Sequence, residues 1–204
     1  MNVLLHEPAR WLPLLAEHLA LVLGSLAAAM ALALPLAAYV APRARLGGAI
    51  TSALAVLYTI PSLALLALLV PPLGIGAQTA FVALVAYAEM ILVRSFASAL
   101  QAVDPALLDA ARGLGLDARA RFLRVALPAA APGLIAGVRI ATVTLVSLAT
   151  LAAWVDGGGL GVLIFYGLEH QAPQATVAGA ILCAALALAA DRALRFAERR
   201  IARD

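Results

Sequence analysis

Three side chains with a formal charge stand inside apolar runs of this chain: Glu89, Arg94 and Arg139. A charged group in such a run is a functional candidate, as an ion-coupling group, a buried ion-pair partner or the lining of a watery path. Glu89 and Arg94 are five residues apart, about 140° around a helix, so they do not pair on one face. Arg94 reads as an arginine that snorkels to the nearer interface. Glu89 is deeper, and a buried partner and a water-lined path are both open to it. Thr142, Thr144, Ser147 and Thr150 add hydroxyls that either line a path or bond back to their own helix. Other chemistry is missing. All 14 basic residues are arginine, so there is no P-loop lysine and no Schiff-base lysine. Cys183 is the single cysteine, which excludes an internal disulfide and a multi-cysteine metal site. His6, His18 and His170 are scattered, with no metal-binding spacing, and no G-x-S-x-G nucleophile elbow occurs. No catalytic residue, metal site or cofactor site is expected.

The elements around these residues are membrane spans. The chain is 65% hydrophobic and 12% charged, against about 45–50% and about 25% for soluble domains. A net charge of +3 does not point to nucleic acid, because the arginines cluster between and after apolar runs. Residues 1–16 read as an uncleaved interfacial lead with Trp11 at headgroup level. Spans are expected at roughly 18–41, 49–70, 77–100, 134–155 and 173–190, each near the length that crosses a bilayer. Pro71-Pro72 with the following glycines is expected to end the second span. Gly133 and Gly137 have the small-residue spacing that lets helices approach closely. Arg43, Arg45, four arginines in 104–133 and five in the tail fall on one side, and Arg10 on the other. The positive-inside rule then gives five spans, N-terminus outside and C-terminus cytoplasmic. The fold class is an all-α polytopic membrane protein of a single domain, 1–204.

The segment 104–133 is the longest polar interruption. Asp104-Pro105 suits a helix start, Gly113 and Gly115 a bend, and Asp117 a second cap for a helix over 118–126 that Leu127-Pro128 ends. The expectation is a two-helix loop at the membrane surface, either a docking element or an interfacial helix pair with no partner. Within it, Asp109-Ala110-Ala111 is followed by Arg112-Gly113-Leu114, then Gly115, and after nine residues by Val125-Ala126-Leu127-Pro128.

That spacing resembles the hallmark of permease subunits of binding-protein-dependent ABC importers: Glu-Ala-Ala, three residues, Gly, nine residues, Ile-x-Leu-Pro. The departures are Asp109 for Glu and Val125 for Ile. Thr59-Ile60-Pro61-Ser62-Leu63-Ala64-Leu65-Leu66, Pro72-Leu73-Gly74-Ile75-Gly76, Asp104-Pro105-Ala106-Leu107, Ala141-Thr142, Leu151-Ala152-Ala153 and Gly158-Gly159-Leu160-Gly161 narrow the resemblance to osmoprotectant permeases for glycine betaine, carnitine and choline. It covers about residues 17–195. Glu89 and Ile91 stand where the family usually has an aliphatic residue and a proline, and Ser95 replaces a common asparagine.

The resemblance implies a type I importer permease fold in the bacterial inner membrane. It also implies a pathway shared with a second permease copy or a sister permease, and a periplasmic or lipid-anchored substrate-binding protein. Separate ABC ATPase subunits would bind ATP and Mg and dock on Asp109, Ala110, Ala111, Arg112, Gly113, Gly115, Val125, Leu127 and Pro128. Pro61, Ser62, Glu89, Thr142, Thr144 and Ser147 are the candidates for the translocation path. This chain would change no bonds and would need no cofactor of its own. With Tyr58, Tyr87, Trp154 and Tyr166 scattered, no aromatic cage for a quaternary ammonium is expected, and selection falls to the binding protein. A permease for another small solute such as an amino acid remains open. An ion-coupled secondary transporter would use Glu89, Arg94 and Arg139, but there is no internal repeat, and an odd span count does not split into two halves.

Overall fold

The computed structural model describes residues 8–201 and is helical throughout, with no strand among them. In order, α1 is Pro8–Val40, α2 Ala44–Thr59, α3 Ser62–Leu73, α4 Ala77–Gln101 and α5 Pro105–Gly113. A short α6, Ala118–Arg121, leads through a π-helical turn, Phe122–Ala126, into α7, Leu127–Leu148. A 3₁₀ turn, Ala149–Val155, precedes α8, Gly161–Glu169, and α9, Pro173–Ile201. Four stretches are long and apolar enough to cross a membrane: Trp11–Val40, Ala77–Gln101, Ala118–Val155 and Pro173–Ile201. The bent pair Arg45–Thr59 and Ser62–Leu73 makes a fifth when counted as one broken span. Residues 1–7 of the expected interfacial lead lie outside the described residues. From Pro8 onward that lead is simply the start of α1.

The central helix is α4, which packs against α1, α2, α3 and α7. Ala88, Leu92, Val93 and Phe96 of α4 are buried. On α1, Val22, Leu26, Ala29, Ala33, Ala37 and Val40 recur every three or four residues and are all buried, the stripe that one helix face presents to a neighbour. Mostly small side chains on that stripe let α1 lie close to α4. Gly133 and Gly137 do the same for α7. A Cβ on Gly133 would stand 2.8 Å from that of Ala99, and one on Gly137 2.6 Å from that of Ser95. Neither position has room for any side chain.

Four boundaries differ from the sequence expectation. The expected span 49–70 is broken: α2 and α3 meet at 92° around Ile60-Pro61. Ile60 is extended (φ −64, ψ 126), as a residue before proline is pushed to be, and the Tyr87 hydroxyl donates to its carbonyl. The span ends at the glycines that follow Pro71-Pro72, as expected, but the prolines themselves do not stop the helix. Both sit inside α3, which stops at Gly74 with φ +82, because prolines are tolerated near a helix end when their neighbours satisfy the freed carbonyls. Leu127-Pro128 does not end the helix after Asp117 either. The Leu127 N–H reaches back five residues to Phe122 O, and this wider π turn lets the helix pass Pro128, which has no N–H to give. Finally, α9 runs past the expected 190 to Ile201, so most of the arginine-rich tail is helical.

Candidate functional site

The segment 104–126 stands out from the bundle. The Asp104 carboxylate accepts the Ala106 N–H at 2.8 Å with Pro105 at the first helical position, which fixes the start of α5. Asp117 accepts the Ala120 N–H at 2.7 Å and starts α6. Between them Gly115 takes φ +78, a left-handed turn that glycine enters without penalty. The Leu116 N–H then bonds back to Ala111 O at 3.2 Å, and the Arg121 guanidinium donates to Leu116 O at 3.1 Å. These contacts are local. Ala111 is buried, whereas Asp109, Ala110, Arg112, Gly113 and Gly115 are exposed, Val125 and Leu127 are half-buried and Pro128 is exposed. Asp109 and Arg112 pair with each other at 3.0 Å at the surface. Sequence reasoning missed the apolar part of this surface: Leu114 is 81% exposed and Leu107 45%. An exposed leucine at the tip of a built turn was hidden because leucine is the background residue of this chain.

Through the π turn this segment is continuous with α7, a single helical body from Ala118 to Val155. Arg139 on α7 faces α9, with Asp191 at 3.7 Å and Glu198 at 3.6 Å, and Arg195 holds Asp191 at 3.0 Å. Arg139 therefore joins α9 to the helix that carries the segment. The sequence named no partner for Arg139, because Asp191 and Glu198 lie more than 50 positions away.

The candidate path residues lie at the break before α3, on α3, on α4 and on α7. Ser62 opens α3 beside the break and lines a small cleft with Leu66, Tyr87 and Leu151, and Pro61 is exposed next to it. Thr142, Thr144 and Ser147 donate to the carbonyls four residues back, at 2.7, 2.9 and 3.3 Å, and Thr150 donates to Ser147 O at 2.8 Å. These hydroxyls are thus satisfied within their own helix. Glu89 is half-buried, and its Oε1 is buried without a hydrogen-bond partner. Neither Glu89 nor Arg94 makes an ion pair within the described residues. The expected scatter of aromatics is corrected for one pair. Tyr58 and Tyr87 meet edge to face with centroids 5.4 Å apart, because the bend at Ile60-Pro61 turns α2 onto α4.

At the opposite end of the bundle the chain ties itself down. The Leu160 N–H donates to His18 Nδ1 at 3.3 Å, so the ring proton is on Nε2, which donates to Val146 O at 3.1 Å. His18 is completely buried. The neighbouring Glu17 accepts the Gly159 N–H at 3.0 Å. Gly158 and Gly159 have positive φ, and a Cβ on Gly159 would press on the His18 ring at 3.0 Å. Gly161 has no room at all, since its Cβ would fall 1.9 Å from Thr150 O. Sequence reasoning passed over His18 because a lone histidine in an apolar run carries no spacing signal.

Residues 20–203 match the family described as binding-protein-dependent transport system inner membrane component. The choline transport system permease protein OpuBB of Bacillus subtilis is 35% identical, over 91% of this chain and 85% of its own. The carnitine transport permease protein OpuCB of Listeria monocytogenes is 32% identical over the same shares. The ergothioneine transport permease/ergothioneine binding protein EgtU of Helicobacter pylori is 43% identical, over 67% of this chain and 25% of that protein. Among solved structures, the methionine ABC transporter MetNI in an inward-facing conformation superposes with a TM-score of 0.83 at 25% identity, covering 96% of this chain and 98% of that one. By its helices, its surface segment and these matches, the chain belongs to the family of inner-membrane permease subunits of binding-protein-dependent ABC importers.

Proposed function

We propose that this chain forms, with a second copy or a sister permease, the pathway by which a quaternary ammonium osmoprotectant such as glycine betaine, choline or carnitine enters the cell. The choline and carnitine permeases among its relatives support that substrate class. The single observation that carries the mechanism is the exposed 104–126 segment, whose second half from Ala118 runs as one helical body into α7. A partner that moves Asp109–Pro128 moves a membrane helix with it. In this reading a separate ATPase binds ATP and Mg and docks on Asp109, Ala110, Arg112, Gly113 and Gly115. A binding protein delivers the solute at the glycine-rich end, and the permease alternates access between the two sides. The arginine-rich end faces the cytoplasm. The chain itself changes no bonds and needs no cofactor. The methionine transporter's likeness keeps an amino acid as the second substrate class.

The test is uptake of labelled glycine betaine, choline, carnitine and methionine into proteoliposomes holding this chain, its sister permease and its ATPase. Binding protein is added outside and ATP inside. Uptake of one of the first three that needs ATP and binding protein supports the reading. Methionine uptake alone moves the substrate, and uptake by this chain alone on an ion gradient removes the importer. Gly115→Asp separates docking from folding. A Cβ there meets nothing within 4 Å, and a left-handed non-glycine residue costs only about 1–2 kcal/mol. The inserted variant should fail to capture the ATPase. Capture at wild-type level places the docking surface elsewhere.

A further inference from the structure

Between α2 and α4, at the arginine-rich end of the bundle, lies an open cleft of about 360 Å³. Arg94, Ser98 and Gln101 of α4 line one wall, and Gly47, Gly48 and Thr51 of α2 the other. Gln101 is engaged with Ala41 O at 3.0 Å, and Thr51 with Gly47 O at 2.7 Å. Arg94 is not engaged. It is exposed and has no ion pair, hydrogen bond or ring contact within the described residues. It stands seven residues before the end of α4, about 10 Å along the axis, so it reaches from an apolar helix into this cleft. A Cβ on Gly48 would meet nothing within 4 Å, so the cleft is open where a larger residue would fill it. The first turn of α2 begins beside it without a side-chain cap, since Arg43 makes no cap hydrogen bond and instead lies over the Tyr39 ring. Free N–H groups of a helix start attract an anion. Arg45 follows on the same turn as Gly48, adding a second cation to that helix end.

An arginine held in a membrane helix with its five donors unused calls for an anion of matching shape, and a phosphate accepts two of those donors side by side. Basic clefts between helices near the membrane surface take lipid headgroups in this way. We propose that the α2–α4 cleft binds the phosphate of an anionic phospholipid, with Arg94 as its principal contact and Ser98 supplying a hydroxyl. This site is separate from the ATPase-docking segment and lies on the first half of the broken span. It ties one lipid to α2, which leads into the bend at Ile60-Pro61, and to α4, against which α2 packs.

The test uses the full chain purified with phosphatidylglycerol or phosphatidylcholine and read by native mass spectrometry. The wild-type chain should retain phosphatidylglycerol over phosphatidylcholine by about tenfold, the scale of a charge-assisted hydrogen bond. Arg94→Gln, which keeps the cleft, and Gly48→Leu, which fills it and keeps the arginine, should each abolish that preference. Arg94→Lys should retain part of it. Displacement of the lipid by millimolar inorganic phosphate would support the phosphate chemistry and assign the site to the free ion. Equal retention of both lipids by the wild-type chain overturns the proposal, as does retention unchanged in both Arg94→Gln and Gly48→Leu. Retention unchanged in Arg94→Gln with an altered solute preference in uptake places Arg94 on the solute pathway instead. Gly48→Leu decides the matter if Arg94→Gln does not fold.

Discussion

The two ends of this bundle are built by opposite rules. At the glycine-rich end, His18, Val146 and Leu160 come from three distant parts of the chain and satisfy one another in the interior, while the exposed Glu17 holds Gly159 at the edge of that network. At the arginine-rich end, the 104–126 segment is held by caps and turns within a few residues of themselves and leaves Leu107, Leu114 and Asp109 to solvent. A buried network with every partner inside the chain is a scaffold. An exposed segment with only local bonds keeps its contact area for something else. Most stability is therefore expected to reside at the first end, and function that depends on a partner at the second.

The largest effect is expected at His18. His18→Ala orphans the Leu160 N–H and the Val146 carbonyl in the interior, at about 1–3 kcal/mol for each group. It should lower the thermal unfolding midpoint of the detergent-solubilised chain more than any single change in 104–126. A midpoint within a degree of wild type would mean that this end is no scaffold. Leu114→Ser is the counterpart. It should leave the midpoint in place while weakening ATPase capture by about tenfold, as losing one apolar anchor from an interface does. Titrating the ATPase onto the inserted permease measures this, and an unchanged affinity removes Leu114 from the docking surface.

Arg139→Gln sits between the two regimes, since its partners are three-quarters buried yet each is a loose ion pair, together about 1 kcal/mol. The expected result is a small loss of stability with a larger loss of solute-stimulated ATP hydrolysis, because the polar link between α9 and α7 is lost while their packing remains. Arg139→Lys should restore part of that coupling. If stimulation is intact in Arg139→Gln, the tie is only structural. The smallest effect is expected at Asp117→Ala, which removes one helix cap worth about 1 kcal/mol. Hydrogen exchange should rise at Ala118–Arg121 alone, and a rise spreading into α7 would show that the cap holds the whole helical body.

Charge and hydropathy were enough to read the all-helical membrane class, the surface segment with its Asp104 and Asp117 caps, and the Gly133–Gly137 contact. Each of these follows from local physics: an apolar run long enough to cross a bilayer, a carboxylate within reach of the next N–H groups, a spacing that repeats on one helix face. The spacing from Asp109 to Pro128 also marked the family. Tertiary structure alone decided the break at Ile60-Pro61, the passage of the helix through Pro128, the pairing of Tyr58 with Tyr87 and the burial of His18. Proline signals a possible break, but whether the chain bends depends on who accepts and donates around it. Tyr87 stands ready at Ile60, and the π turn stands ready at Pro128. His18 became the centre of a network only because α1, α7 and the glycine-rich loop converge on it. In a chain this uniform in alanine and leucine, a contact between residues more than a hundred positions apart leaves no trace in the local pattern.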